Sequence, residues 1–263
     1  MGVINVTPDS FSDGGIAFDP QHAADIAVAM EAAGADLIDI GAESTRPGAT
    51  PVGTADELAR VRPVLSAIAS RVRVPISIDT YKSEVAELAL GEGASIVNDI
   101  SGLQYDPRLG ALTAARGAPI VLMHTRGRPQ DMYAHADYQD VVGEVAADLQ
   151  RAVDRALAAG ISRGSILVDP GLGFAKHASQ SVAVLAGLER LTAMGFPLLV
   201  GPSRKSFMTA STGPLSPEAR DWPTAAAVTA AVLAGAHIVR VHRVAEMVHV
   251  VRVADAIRDA SGA

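Results

Sequence analysis

Eight short runs rich in Val, Ile and Leu recur from one end of the sequence to the other. They are Gly2-Val3-Ile4-Asn5-Val6, Leu37-Ile38-Asp39-Ile40-Gly41, Ile76-Ser77-Ile78-Asp79, Ile96-Val97-Asn98-Asp99, Ile120-Val121-Leu122-Met123-His124, Ile166-Leu167-Val168-Asp169, Leu198-Leu199-Val200-Gly201 and Ile238-Val239-Arg240-Val241-His242. Runs this short and this apolar suit strands covered on both faces, as in a parallel sheet. The stretches between them are rich in Ala, Leu, Glu and Arg and carry apolar residues at helical spacing. Val244, Met247, Val248, Val251 and Ala254 form one such stripe, and Ala23, Ile26, Ala27 and Met30 another. Gly34, Gly93, Gly117, Gly160, Gly195 and Gly235 fall where helices should end, which predicts left-handed C-caps. Pro63 lies inside a helical stretch and predicts a kink or a break there.

Strand–helix alternation repeated eight times over 263 residues predicts an α/β fold, a (β/α)8 TIM barrel, with residues 1–263 as a single domain. A doubly wound open sheet is the rival, and the even spread of elements favours the barrel. Composition removes several classes of function. Apolar residues make up 49% and charged residues 19%, which suits a compact globule and not a disordered chain. The net charge of −7 argues against a nucleic-acid-binding surface, and the absence of cysteine excludes thiolate metal sites, disulfides and cysteine nucleophiles. The apolar stretch from Ala225 to Ala236 is too short for a membrane span. Residues 1–5 lack the pattern of a signal peptide, and Val6 stands where a myristoylation motif needs Ser or Thr. The expected location is the cytosol, with no membrane partner.

Chemistry gathers at the ends of the strands. Asn5, Asp79, Asn98, His124, Asp169, Arg240 and His242 close their runs, and Lys205 follows the seventh. In a barrel these ends converge on one mouth, where active sites are built. Turn and N-cap roles account for one or two such residues. They do not account for acids, amides, a lysine, an arginine and a histidine together. The loop Thr7 to Gly15 and the loop Glu43 to Ala49 are polar and Gly-rich, as lids over a substrate are. Gly201-Pro202-Ser203-Arg204-Lys205-Ser206 fails as a P-loop because Arg204 precedes the lysine, and Gly171-Leu172-Gly173 lacks the third glycine of a dinucleotide fingerprint. Phosphate recognition is still expected after strands seven and eight, where Arg204, Lys205, Arg240, His242 and Arg243 lie. The remaining histidines show no metal-binding spacing, and Trp222 is given no functional role.

The segment Met1-Gly2-Val3-Ile4-Asn5-Val6-Thr7-Pro8-Asp9-Ser10-Phe11-Ser12-Asp13-Gly14-Gly15 resembles the opening signature of the dihydropteroate synthase family. Gly41 to Gly48, Ser77-Ile78-Asp79-Thr80, Val97-Asn98-Asp99-Ile100, Asp169 to Phe174, Ser203-Arg204-Lys205-Ser206 and Arg240-Val241-His242 follow in the family's order. The resemblance implies a folate-pathway transferase that joins 4-aminobenzoate to 6-hydroxymethyl-7,8-dihydropterin diphosphate and releases diphosphate with Mg²⁺. It implies that Asp79, Asn98, Met123, Asp169, Phe174, Gly201 and Lys205 form the pterin site. Asn5, Arg240 and His242 would hold the diphosphate, with Asn5 on the metal. Phe11, Thr45, Arg46, Pro47, Lys205 and Ser206 would surround the 4-aminobenzoate. Asp79, Asp169, Lys205, Arg240 and His242 are the expected catalytic group. Sulfonamides are the implied inhibitors, and a homodimer through the late helices is the implied assembly. The sequence departs from the family in three places. It starts at the first strand, where the family has a short extension over the barrel floor. It carries Arg243 in place of an acid, and it lacks a glycine in Phe207-Met208-Thr209. Two other readings are a pterin-dependent methyltransferase of a related barrel and a non-catalytic pterin-binding paralogue. The Thr45-Arg46-Pro47 loop and Arg240-Val241-His242 speak against the first, and the fully furnished site against the second.

Overall fold

The structure, a computed structural model, describes residues 1–6, 19–45 and 48–260. All eight expected strands form. In chain order the elements are β1 (Gly2–Asn5), α1 (Pro20–Ala32), β2 (Ile38–Gly41), α2 (Thr54–Ala69), β3 (Ile76–Asp79), α3 (Ser83–Gly91), β4 (Ile96–Asp99), α4 (Leu109–Arg116) and β5 (Ile120–Met123). They continue with α5 (Val141–Ala158), β6 (Ile166–Asp169), α6 (Ala178–Ala186), α7 (Leu188–Thr192), β7 (Leu199–Val200), α8 (Thr209–Thr212), α9 (Asp221–Leu233), β8 (Ile238–Val239) and α10 (Val244–Ala260). Every pairing is parallel, and β1 to β6 form one ladder in sequence order, while β7 and β8 form a second. Single bridges join the two sheets, Val168 to Leu198 on one side and Gly2 to Val241 on the other. The strand order is therefore that of the (β/α)8 barrel, although full ladders do not close the ring.

Successive side chains of a strand point to opposite faces, and here the two faces meet different surroundings. One set (Ile38, Ile40, Ile76, Ile78, Val97, Ile120, Leu122, Ile166, Val168) packs outward against the helices in the main core. The other set begins inside the barrel with a small apolar floor of Met1, Val121 and Leu199, flanked by Leu37, Ile96, Leu167 and Ile238. Above this floor the inward positions turn polar. That reversal explains why the strands read as apolar runs and yet finish in acids and amides.

The six glycines expected at helix ends all adopt positive φ, from 63° at Gly117 to 115° at Gly93. Pro63 does not break its helix. α2 runs through it from Thr54 to Ala69, because Val61, Val64, Leu65 and Ile68 are buried on both sides of it and hold the two halves to the sheet.

Candidate active site

The mouth of the barrel is organised around one guanidinium. Arg240, one residue past β8, donates from Nε to Asp39 Oδ2 at 2.7 Å and from Nη2 to Asp79 Oδ2 at 3.0 Å. Asn98 Nδ2 reaches both oxygens of Asp39, at 3.3 and 3.2 Å. Strand register produces this cluster. Asp79 lies beside Asn98 on one side and Gly41 on the other, and Asp39 lies beside Ser77, one layer deeper. A Cβ on Gly41 would come within 3.3 Å of the Asp79 Cβ, so the missing side chain leaves that carboxylate its room. Asp39 is fully buried and shares Arg240 with Asp79. It belongs to the site, and the strand-end argument passes over it because it lies inside an apolar run. The signal that could have found it is an acid at the centre of Leu37-Ile38-Asp39-Ile40.

Asp169 and Met123 lie opposite one another at the ends of β6 and β5. Asp169 Oδ1 accepts from the Gly171 N–H at 2.7 Å. Lys205 reaches toward the same corner. Its Nζ donates to Leu172 O at 2.5 Å and stands 4.7 Å from the centre of the Phe174 ring. Gly201 follows β7 beside Arg240. The predicted pterin group thus occupies one end of the barrel, and Asn5, Arg240 and His242 stand at its β1–β8 side. Ser203 Oγ and His242 Nδ1 are 2.9 Å apart, and Ser203 Oγ also accepts the His242 N–H at 3.2 Å.

Burial sets the protonation of this corner. It pushes the Asp79 carboxyl up to about 7, against the pull of Arg240 and with the like charge of Asp39 adding to it. It raises Asp169 as well, opposed by Lys205 and the Gly171 N–H. It draws Lys205 down to about 8, with Asp169 pulling the other way. Arg240 is itself desolvated, yet Asp39 and Asp79 hold its value above the usual one. The mouth is a largely buried, densely charged site in which burial raises both Asp79 and Asp169, the pattern that perturbed functional groups show.

Three expected features fall differently. His124 is not at the mouth. It is one residue beyond Met123 and so faces the helix layer, where its Nε2 lies 3.0 Å from Asp148 Oδ2 of α5. Arg204 is committed to Asp221, which it grips at 2.8 and 3.0 Å. Arg243 is exposed and paired with Glu246. Of the five cationic or basic groups after β7 and β8, Lys205, Arg240 and His242 remain for the mouth. Phe207 and Met208, where the family's glycine is absent, are buried in the main core.

Thr45 is half-buried and Ser206 exposed at the rim. Phe11, Arg46 and Pro47 lie outside the described residues. The segment leading to Thr45 is anchored by a buried ion cluster: Lys82 Nζ bonds Glu57 Oε2 at 2.5 Å, Glu43 Oε2, and Val52 O at 2.9 Å. Tyr81 Oη donates to Glu43 at 2.9 Å and Thr80 Oγ1 to Glu57 at 2.8 Å. Among the described residues no group of three or more acids or histidines is placed to hold a metal ion, and no helix is long and apolar enough to cross a membrane.

The sequence model of the family described as "Pterin binding enzyme" matches residues 1–242. The chain is 47% identical over 257 residues to the dihydropteroate synthase of Synechocystis sp., an alignment covering 98% of this chain and 89% of that protein. The dihydropteroate synthase of Yersinia pestis, solved as a sulfonamide drug complex, superimposes with a TM-score of 0.93 at 41% identity, covering 98% of this chain and 94% of that one. That of Xanthomonas albilineans, solved with 4-aminobenzoic acid, gives 0.92 at 41% identity, covering 98% and 92%. With its barrel topology, its polar mouth and these likenesses over nearly its whole length, the chain belongs to the dihydropteroate synthases of the pterin binding enzyme family.

Proposed function

We infer that the chain condenses 6-hydroxymethyl-7,8-dihydropterin diphosphate with 4-aminobenzoate, giving 7,8-dihydropteroate and diphosphate. The observation that carries this reading is the Arg240 guanidinium held between Asp39 and Asp79 beside Asn98, with Asp169 and Lys205 across the mouth. A pterin offers ring N–H and amino donors, and Asp79 and Asp169 would accept them through charge-assisted bonds. The C–O bond to diphosphate breaks and its electron pair leaves with the diphosphate. Positive charge is left on the exocyclic methylene and the ring. The two carboxylates stabilise that cation more than the neutral ground state. The amine of 4-aminobenzoate then supplies the electron pair of the new C–N bond and loses a proton to water. Arg240 and His242 answer the charge growing on the leaving group.

Mg²⁺ suits this donor set. It prefers phosphate oxygens, keeps several waters and needs few protein ligands, so the Asn5 amide oxygen at the mouth suffices to hold it, and it would neutralise charge on the diphosphate. Phe11, Thr45, Arg46, Pro47, Lys205 and Ser206 would contact the 4-aminobenzoate, and a sulfonamide would compete there. We assign the chain to the cytosol, consistent with the absence of a membrane-spanning helix among its described residues. A homodimer is supported by the exposed apolar side chains of Trp222, Leu233, Val253 and Ile257 on α9 and α10.

Diphosphate release is the test, measured with and without 4-aminobenzoate, Mg²⁺ and sulfamethoxazole. Release that needs the arylamine and the metal is expected, with the drug competing against 4-aminobenzoate. Pterin binding without release would instead favour the non-catalytic or methyltransferase reading.

A further inference from the structure

Lys176 is the largest fully buried side chain among the described residues, only 1% exposed. It lies behind the mouth, on the helix side of the turn that follows β6. Its Nζ bonds Gly171 O at 3.1 Å, Phe174 O at 3.0 Å and His124 Nδ1 at 2.7 Å. Three acceptors surround the amine, and burial draws its pKa well below the ordinary lysine value. With Nδ1 accepting, the His124 proton sits on Nε2 and faces Asp148 Oδ2 at 3.0 Å. Asp148 is gripped in turn by Arg126 Nε at 3.0 Å and by Arg151. A continuous polar chain therefore runs from the turn, through β5, to the surface of α5.

The turn it holds is the one that furnishes the pterin corner. It carries Asp169 and Phe174, and its Leu172 carbonyl accepts from Lys205. It is seated tightly. Gly171 has φ of +64°, and a Cβ there would fall 2.1 Å from His124 O. Phe174 N–H closes the turn on Gly171 O at 3.0 Å, so Lys176 binds the two carbonyls at the turn's ends. Burying the Lys176 amine is costly. Its bonds to Gly171 O and Phe174 O fix the two ends of the turn, and an apolar side chain of similar length would leave those carbonyls and His124 Nδ1 without it. We propose that Lys176 is a positioning residue for the pterin site, fixing the Asp169–Phe174 turn against β5, and that His124 and Asp148 extend this hold to α5. The proposal rests on the pterin reading given above.

The test compares wild type, Lys176→Met, Asp148→Asn and the double variant. Calorimetric titration with the pterin diphosphate gives the Kd and the number of sites, and thermal melting is followed in parallel. Lys176→Met is expected to raise the Kd about tenfold, the scale of a small misplacement of binding groups. Asp148→Asn is expected to raise it about threefold at unchanged Tm, and to add nothing in the Lys176→Met background, because its effect passes through the lysine. A lowered Tm or reduced site number with the Kd unchanged in the sites that remain would make Lys176 merely structural and overturn the proposal. Fully additive effects would overturn the part assigned to His124 and Asp148. If Lys176→Met does not fold, Asp148→Asn decides alone, and an unchanged Kd overturns the proposal. A wild type that neither binds the pterin nor releases diphosphate overturns the underlying reading, and this inference falls with it.

Discussion

Arg240 is a fixed charge with two carboxylates, and its position depends on the deeper of them. Asp39 is fully buried and bonds both Arg240 and Asn98. Asp39→Ala should leave the largely buried guanidinium with one carboxylate partner in place of two and cost about 2 kcal/mol of stability, read in a urea melt. A change within error would show that Asp79 alone balances Arg240. The pH behaviour of Asp79 follows from its carboxyl lying at about 7 in place of the ordinary 3.8. The folded chain holds that proton more tightly than the unfolded one. This group therefore favours folding most below the ordinary value, and the contribution is lost as pH rises through about 7. Under the proposed role of Asp79 as an acceptor of the pterin's ring donors, binding would run the other way, because only the ionised carboxylate accepts them at full strength. Affinity for the pterin should rise as pH climbs across about 6 to 8 and flatten in Asp79→Asn. An equal slope in that variant would move the titration to Asp169.

The connections between strands and helices carry as much of the site as the strands do. The turn after β6 needs glycine at 171 on two grounds, its positive φ and the 2.1 Å approach of a Cβ to His124 O. Gly171→Ala should cost at least about 2 kcal/mol and weaken pterin binding, measured by melting and titration. A neutral outcome would mean the turn is soft. The loop after β2 is anchored by Lys82 between Glu43 and Glu57, whose side chains are 7% and 1% exposed. Lys82→Met would leave two buried acids facing one another and should destabilise by about 3 kcal/mol near neutral pH, less in acid, where they take up protons. Neither anchor stands out in the sequence. Lys82 and Lys176 read as ordinary charged residues at loop ends, and only the folding of distant segments around them makes them central.

For the molecule as a whole, α9 and α10 carry the most exposed large apolar side chains among the described residues. Trp222 is 86% exposed, and Val253 and Ile257 are more than half exposed. If this face pairs with a second copy, Ile257→Asp should weaken the dimer at least about tenfold in sedimentation while leaving each barrel folded. A wild type that sediments as a monomer would rule the pairing out.

The barrel was legible because its strands are covered on both faces, which forces apolar runs, and because six helices end in glycines whose φ the backbone requires. The polar strand ends were legible for the same reason, since an acid or amide stands out against such a run. Asp79, Asn98, Asp169 and Arg240 stand out in this way. What the sequence could not tell was which way each residue faces and what meets it there. Met123 and His124 are neighbours, yet one lines the mouth and the other bonds Asp148 behind it. Arg204 and Lys205 are neighbours too, and one is tied to Asp221 while the other reaches the Leu172 carbonyl in the turn after β6. Asp39 and Arg240 are 201 residues apart, and their ion pair exists only because the barrel brings β2 and β8 to one interior. A strand's apolar content is a local property that its own residues express. The partner of a buried charge is set by the packing of elements far apart in the chain, and that belongs to the tertiary structure alone.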